Sequence, residues 1–260
     1  MAMGIGAGTA EAIISPPSGT LLLGPILPST GVHDDLYARA LVLSDGGAAV
    51  ALVSLDLVGL SIGLSDEIRS AVRRRRPEVG TVLLLCSHTH SAPFTIPWSV
   101  LGWEWLAGAG RAWREALVAA VAGAVDAAFG RLCRVTLSAG RAPARVGTNR
   151  RLQTPDGVKM LPNPEGAVVP WTDVLRVDDD AGRTVVVLFS HAAHPVIVHG
   201  ASTLISADYS GHAVAAVREH LGPHVVALFA QGCGGNVNGD PLRGGHEAAE
   251  AAGRALGEAA

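Results

Sequence analysis

The chain has 260 residues and a formal net charge of −3, which is long enough for one large domain or two small ones. This balanced charge argues against nucleic acid as the main partner. No apolar run reaches the ~20 residues that a membrane-spanning helix needs, so we expect no integral membrane segment.

Strand-like and helix-like patterns alternate along the chain. Runs rich in β-branched and apolar residues predict strands at 38–43, 48–55, 81–85, 134–138, 184–189 and 225–229, and helical patterns occur at 63–75, 111–129, 211–220 and 246–259. This alternation predicts an α/β fold with mixed β-sheets packed between helices. The proline- and asparagine-rich segment 142–172 is expected to be a loop that folds over a site.

The cysteines and the chain ends bear on localisation and completeness. The three cysteines are far apart in sequence and show no C-x-x-C spacing, which predicts free thiols in a reducing compartment. The N-terminus lacks a signal-peptide pattern, so we expect a cytoplasmic protein. The last helical pattern has no stop signal, so either the helix is complete or the native chain continues beyond Ala260. We treat 1–260 as a single domain.

Several predicted strands end in polar residues. "ALVSLD" ends at Asp56, "VLLLCSHTH" at His88 and His90, and "VVVLFSHAAHP" at His191 and His194. A fourth strand leads into the glycine- and asparagine-rich loop "QGCGGNVNGD". Because ligands of open α/β sheets collect beyond the carboxyl ends of strands, we expect these endings to converge on one metal-binding crevice.

The histidines after these strands have the side chain most often found on zinc. On an extended chain His88 and His90 point to one face, so both could bind a metal, or one could bind metal and the other substrate. The alternative is a polar loop whose histidines bond backbone. His191 and His194 have helical spacing, but Pro195 favours an extended chain at His194, so we expect only one of the two as a ligand.

Other patterns are weaker. The glycine run 4–8 lacks the preceding strand of a dinucleotide fingerprint, and "QGCGGNVNGD" lacks the lysine of a phosphate loop. No G-x-S-x-G elbow is present, which argues against an α/β-hydrolase. The tryptophans Trp98, Trp103 and Trp105 either line a pocket or pack within a loop. The four arginines 73–76 fit the C-terminal end of a helix.

Taken in order, the motifs resemble the N-terminal catalytic domain of neutral/alkaline non-lysosomal ceramidases. "GIGAGTAEAIISPPSGTLLLG" is similar to the opening segment of that family, and "GVHDDLYARALVL" is similar to its next strand. "SHTHSAP" resembles its S/T-H-T-H-S-G-P signature, "GTNRR" its "INRS" segment and "LISADYSG" its "LIS" segment. "QGCGGNVNGD" stands where the family has Q-T-N-x-G-D/N-x-S-P-N.

The resemblance implies roles for particular residues. In the family the first histidine of H-T-H binds zinc and the second is placed to contact the substrate carbonyl or metal-bound water, which implies these roles for His88 and His90. The family's second zinc histidine precedes the "LIS" leucine by ten positions, which gives His194. Arg150 matches the family's arginine after asparagine and is a candidate for stabilising the developing oxyanion. Asp208 matches an aspartate in the same crevice, with a structural or supporting role.

The sequence departs from the family pattern in two respects. Asn238 occupies the position of the family's proposed nucleophilic serine, and a carboxamide cannot take that role. We expect Asn236 and Asn238 to orient water or substrate instead. The family's remaining zinc ligands, a glutamate and a tyrosine, have no clear counterpart in residues 1–260. Either they follow Ala260 in the native protein, or the metal is bound weakly or with a partner's help.

These observations predict a zinc-dependent hydrolase that cleaves an amide (N-acyl) or related acyl bond with metal-activated water. The expected partner is a small-molecule or lipid-like acyl substrate, and the sequence does not indicate an oligomeric state. One alternative is a non-catalytic metal- or ligand-binding domain. Another is a hydrolase of a carbohydrate or cell-wall substrate, since the fold does not determine the substrate.

Overall fold

The computed structural model describes residues 4–96, 108 and 110–260. Within these residues there are four α-helices: α1 Ile62–Arg75, α2 Arg111–Phe129, α3 Asp208–Leu221 and α4 His246–Ala259. The strands of the same ranges are β1 Gly6–Ile13, β2 Gly31–Val32, β3 Tyr37–Ser44, β4 Ala49–Leu55, β5 Val79–Cys86, β6 Cys133–Pro143, β7 Gly147–Thr154, β8 Gly157–Asn163, β9 Trp171–Asp179, β10 Thr184–His191, β11 Leu204–Ile205, β12 Val226–Gln231 and β13 Val237–Gly239.

Eight strands form one mixed sheet in the order β12-β10-β9-β6-β1-β3-β4-β5. The pairs at its two ends, β10 with β12 and β4 with β5, are parallel, and the strands between them are antiparallel. The sheet folds back on itself, because β12 contacts β3, β4 and β5. Ser54 Oγ on β4 donates a 2.6 Å hydrogen bond to the carbonyl of Phe229 on β12. The carboxyl ends of both parallel pairs therefore meet.

The helices cover this sheet in two pairs. α1 and α2 enclose one apolar core with β1, β3 and β4, while α3 and α4 enclose another with β10 and β12. Gly8 on β1 allows α2 to pack closely on the sheet, because a Cβ at this position would collide with the carbonyl of Ala128 on α2. Leu117 and Val121 on α2 and Val217 on α3 are among the buried apolar residues.

The predicted α/β fold is confirmed, with mixed sheets lying between helices. The predicted strands and helices all occur, with ends shifted by a few residues. The loop expected at 142–172 is wrong: β7 and β8 form a hairpin there, and β7 also pairs with β13. Of the five prolines in this segment, Pro143 ends β6, Pro155 lies in the hairpin turn, Pro162 lies in β8, and Pro164 and Pro170 lie between β8 and β9.

No helix among the described residues is long and apolar enough to cross a membrane. The three cysteines are free, as the sequence predicted. The tryptophans Trp98, Trp103 and Trp105 lie outside the described residues.

Candidate metal centre

His88 follows β5 directly and adopts an unusual backbone conformation. Its φ is 72°, in the left-handed region that non-glycine residues seldom occupy. This conformation accompanies two bonds to the segment after β4: the backbone N–H of His88 donates to Leu57 O at 2.9 Å, and Nδ1 lies 2.6 Å from Val58 O. Because a carbonyl can only accept, Nδ1 carries the proton and Nε2 is left with a free lone pair.

His194 lies at the end of the segment after β10 and bridges to β13. Its backbone N–H donates to Val237 O, and its carbonyl accepts from Gly239, both at 2.9 Å. Its Nδ1 lies 2.8 Å from Gly234 O and 3.2 Å from Val237 O, so this nitrogen also carries the proton. Burial, followed by the charge of Arg150, lowers the pKa of His194 and keeps its ring neutral.

His90 completes a group of three. Its ring centroid lies 5.2 Å from that of His88 and 5.9 Å from that of His194. Its Nε2 is buried without a hydrogen-bond partner among the described residues. Burial, followed by the neighbouring His88, lowers the pKa of His90 to about 3, so the ring is neutral near pH 7.

We call His88, His90 and His194 the central histidine cluster. One nitrogen of each lies within 4.8 Å of the others. Tetrahedral zinc with Zn–N bonds of about 2.0–2.1 Å requires nitrogens about 3.3 Å apart, a separation that lies within this limit. In His88 and His194 a backbone carbonyl holds Nδ1–H, an arrangement typical of metal-binding histidines. The donors therefore fit a zinc ion.

Arg150, on β7, lies beside this cluster. It donates from Nη2 to Gly235 O at 2.9 Å and from Nη1 to the Asn238 side-chain oxygen at 3.0 Å. Its Nη2 is also 3.4 Å from His194 Nε2. Because arginine only donates, this contact agrees with an unprotonated Nε2 on His194. A metal at that nitrogen would compete with this weak contact, while Gly235 and Asn238 continue to hold the guanidinium.

The other predicted site residues lie farther out. The Asn236 side chain donates to Ala167 O at 3.0 Å, away from the three histidines. Asp208 is fully buried and accepts from the backbone N–H of Val198 and of Tyr209, so it fixes the chain after His194. Asp56, which the strand pattern placed in the crevice, instead accepts from Arg39 Nη1 at 2.8 Å.

Two further histidines, His191 and His199, are not members of the central histidine cluster. His191 Nδ1 bonds Trp171 O at 3.0 Å, and the ring lies outside the central histidine cluster. His199, which the sequence reasoning gave no role, lies 5.3 Å from His90 between ring centroids. Its Nδ1 is buried without a partner in the described part of the chain. No sequence motif marked His199, because its position depends on the turn that follows His194.

Residues 25–246 match the sequence profile of the N-terminal region of neutral/alkaline non-lysosomal ceramidases. The chain belongs to this family. The resemblance to this family that the short motifs indicated is therefore confirmed. No curated protein matches the chain significantly.

Solved ceramidase structures share the fold. A ceramidase complexed with C2 superposes with a TM-score of 0.83 at 21% identity over 99% of this chain. The neutral ceramidase from Pseudomonas aeruginosa superposes with a TM-score of 0.79 at 22% identity, again over 99% of this chain. This chain covers only 43% and 44% of those two proteins. At this identity the likeness establishes the fold.

Proposed function

We propose that this ceramidase-family domain is a zinc-dependent hydrolase of N-acyl amide or related acyl bonds. The observation that supports it best is the central histidine cluster, in which backbone carbonyls fix the Nδ1 protons of His88 and His194 and leave their Nε2 atoms for zinc. The family suggests a lipid-like acyl substrate such as ceramide.

A zinc ion at His88 and His194 would supply Lewis acidity and a water nucleophile near neutral pH. The remaining work falls to side chains of this domain. His90, neutral at pH 7, would donate one N–H to the carbonyl oxygen of the scissile bond. Arg150, fixed by Gly235 and Asn238, would stabilise the negative charge that develops on this oxygen.

Asn238 explains why we assign the nucleophile to water. It occupies the position of the serine that the family resemblance identifies as nucleophile, and an amide nitrogen or oxygen is a poor substitute for a hydroxyl. Its side-chain oxygen accepts from Arg150, so it positions the guanidinium. We propose no catalytic contact for Asn236, which bonds the neighbouring loop.

The same asparagine favours a second candidate function, a metal-binding domain without catalytic activity. Such a domain would keep the zinc site and lack turnover. Both candidates bind zinc and differ only in whether they hydrolyse a substrate, so metal content alone cannot distinguish them.

A substrate screen separates these functions. Zinc-loaded protein is incubated with short- and long-chain N-acyl sphingosines, simpler N-acyl amides and esters, and free acid or amine is measured. Hydrolysis that requires zinc and that His90→Ala lowers at unchanged zinc content supports the enzyme. Zinc binding with no turnover on any substrate supports the binding domain. His224→Ala, at an exposed histidine, is the matched control and is expected to behave as wild type.

A further inference from the structure

A second group of histidines lies away from the central cluster. His33 follows β2, His212 lies on α3, and His246 is the first residue of α4. The rings of His33 and His246 stack with centroids 3.8 Å apart, and His212 lies edge-on to His33 at 6.2 Å. Together with Asp34, these residues form what we call the peripheral histidine cluster.

Several nitrogens of this cluster have no hydrogen-bond partner among the described residues. His246 Nδ1, His246 Nε2 and His212 Nε2 are buried without a hydrogen-bond partner in the described part of the chain. Buried polar atoms are nearly always bonded, so these atoms require an explanation, and a bound ion would account for one nitrogen of each ring. Burial lowers the pKa of both His212 and His246, which favours the neutral ring that binds metals.

Asp34 supplies the negative charge and the orientation. Its carboxylate accepts from Ser206 Oγ at 2.6 Å and from the Ala207 backbone at 2.7 Å, which fixes it in place. It also lies 2.9 Å from His33 Nδ1. This carboxylate-to-histidine bond leaves His33 Nε2 free, the arrangement by which proteins orient metal-binding imidazoles.

We propose that the peripheral histidine cluster binds a divalent zinc-type cation, which joins α3 and α4 to the segment after β2. Nitrogen and oxygen donors of His33, Asp34 and His246 already lie within 4.8 Å of one another. His212, whose ring lies 6.2 Å from that of His33 between centroids, would supply a further nitrogen from Nε2. A set of histidines with one carboxylate suits zinc, and four protein ligands would fill the position that a catalytic zinc leaves open to water.

The geometry of the helix pair supports this role. Gly253 on α4 faces α3, where a Cβ would collide with His212 Cβ and approach Tyr209 O to 2.5 Å. This close approach brings the middle of α4 beside His212, on the helix whose first residue is His246. A cation there would therefore stabilise the docking of α4, which buries Ala249 and Leu256 against α3.

The test uses full-length protein that has lost the central site through His88→Ala and His194→Ala. This variant is stripped with a chelator and titrated with zinc alone against a chromophoric competitor. One equivalent is expected to bind and to raise the melting temperature by several degrees. Adding His246→Ala or His33→Ala should abolish both effects, whereas His220→Ala, at an exposed histidine of α3, should preserve them.

The proposal is overturned if the double variant binds no zinc, or if His246→Ala leaves the binding unchanged. His33 is exposed, so His33→Ala is the safer substitution should His246→Ala unfold the protein. If the double variant itself fails to fold, the same comparison is made in the wild-type background. Two equivalents are then expected, falling to one in His33→Ala, and an unchanged count contradicts the proposal.

Discussion

The two histidine clusters are built differently. In the central cluster backbone carbonyls of the chain after β4 and before β13 hold the rings of His88 and His194, and the charged Arg150 lies beside them. In the peripheral cluster a side chain does this work for His33, which Asp34 bonds, while the buried nitrogens of His246 have no partner among the residues that the structure describes. The cation of Arg150 beside the central cluster supports our proposal of chemistry there, whereas the ligands of the peripheral cluster lie on three elements and support our proposal that an ion holds these elements together.

Because the clusters are built differently, we expect substitutions in each to have separate effects. The central cluster depends on the meeting of strand ends, and the peripheral one depends on the docking of α4 against α3. Substitutions in one should therefore leave the zinc content of the other intact.

The largest effect is expected for His194→Ala, which removes a proposed zinc ligand and its link to β13. Zinc at the central cluster should be lost, and turnover of any substrate found by the screen should fall by at least about 10³-fold. Zinc analysis and initial rates measure this. His224→Ala is again the control, and retention of wild-type zinc and rate by His194→Ala would remove the basis for the central site.

Arg150→Gln tests whether the neighbouring guanidinium is part of the chemistry. We expect kcat to fall by about 10²–10³, because a donor to the developing oxyanion is lost, while zinc content and KM change little. Arg151→Gln, one residue along the same strand, should have no such effect. A fall in zinc content that accounts for the lost rate would instead make Arg150 a structural residue.

Asp208→Asn tests the residue that joins the two regions, since it bonds the chain after His194 and begins the helix of His212. Burial raises the pKa of Asp208 from 3.8 to about 6. The folded protein therefore favours the protonated carboxyl. Its contribution to the free energy of unfolding is full below about pH 4 and is lost as pH rises through 6, a change of about 3 kcal/mol.

Urea unfolding of both proteins between pH 4 and pH 7 measures this change. The stability of the wild type relative to Asp208→Asn should fall as pH rises through this window. A constant difference would show that the carboxyl does not titrate there.

Gly253→Ala should disturb the peripheral cluster alone. The added methyl group collides with α3, so we expect a loss of about 1–3 kcal/mol of stability and weaker zinc binding at His246. The central cluster should keep its zinc. Gly63→Ala, a helical glycine with open space around it, is the matched control and should be neutral or stabilising. If both variants bind zinc equally well, zinc binding by the peripheral histidine cluster does not depend on the docking of α4 on α3.

The sequence predicted the central region better than the peripheral one. The run "VLLLC" before His88 indicated a strand with histidines at its end, and Pro195 argued against a helical pair at His191 and His194. The choice of His194 over His191 depended on the family resemblance. The hairpin of β7 and β8 was missed because its prolines suggested a loop.

The peripheral cluster could not be predicted because its members are far apart in sequence. His33, His212 and His246 meet only when α4 docks on α3 and both lie beside the segment after β2. No short motif carries that information. The role of Asp208 as a backbone acceptor also follows from tertiary contacts, since its partner Val198 lies outside its own helix.

The most direct test of the account is anomalous diffraction at the zinc edge from crystals of zinc-loaded protein. We predict a peak bonded to Nε2 of His88 and of His194, absent from crystals of His194→Ala. A zinc-loaded crystal with ordered histidines and no peak at that position would contradict the central claim.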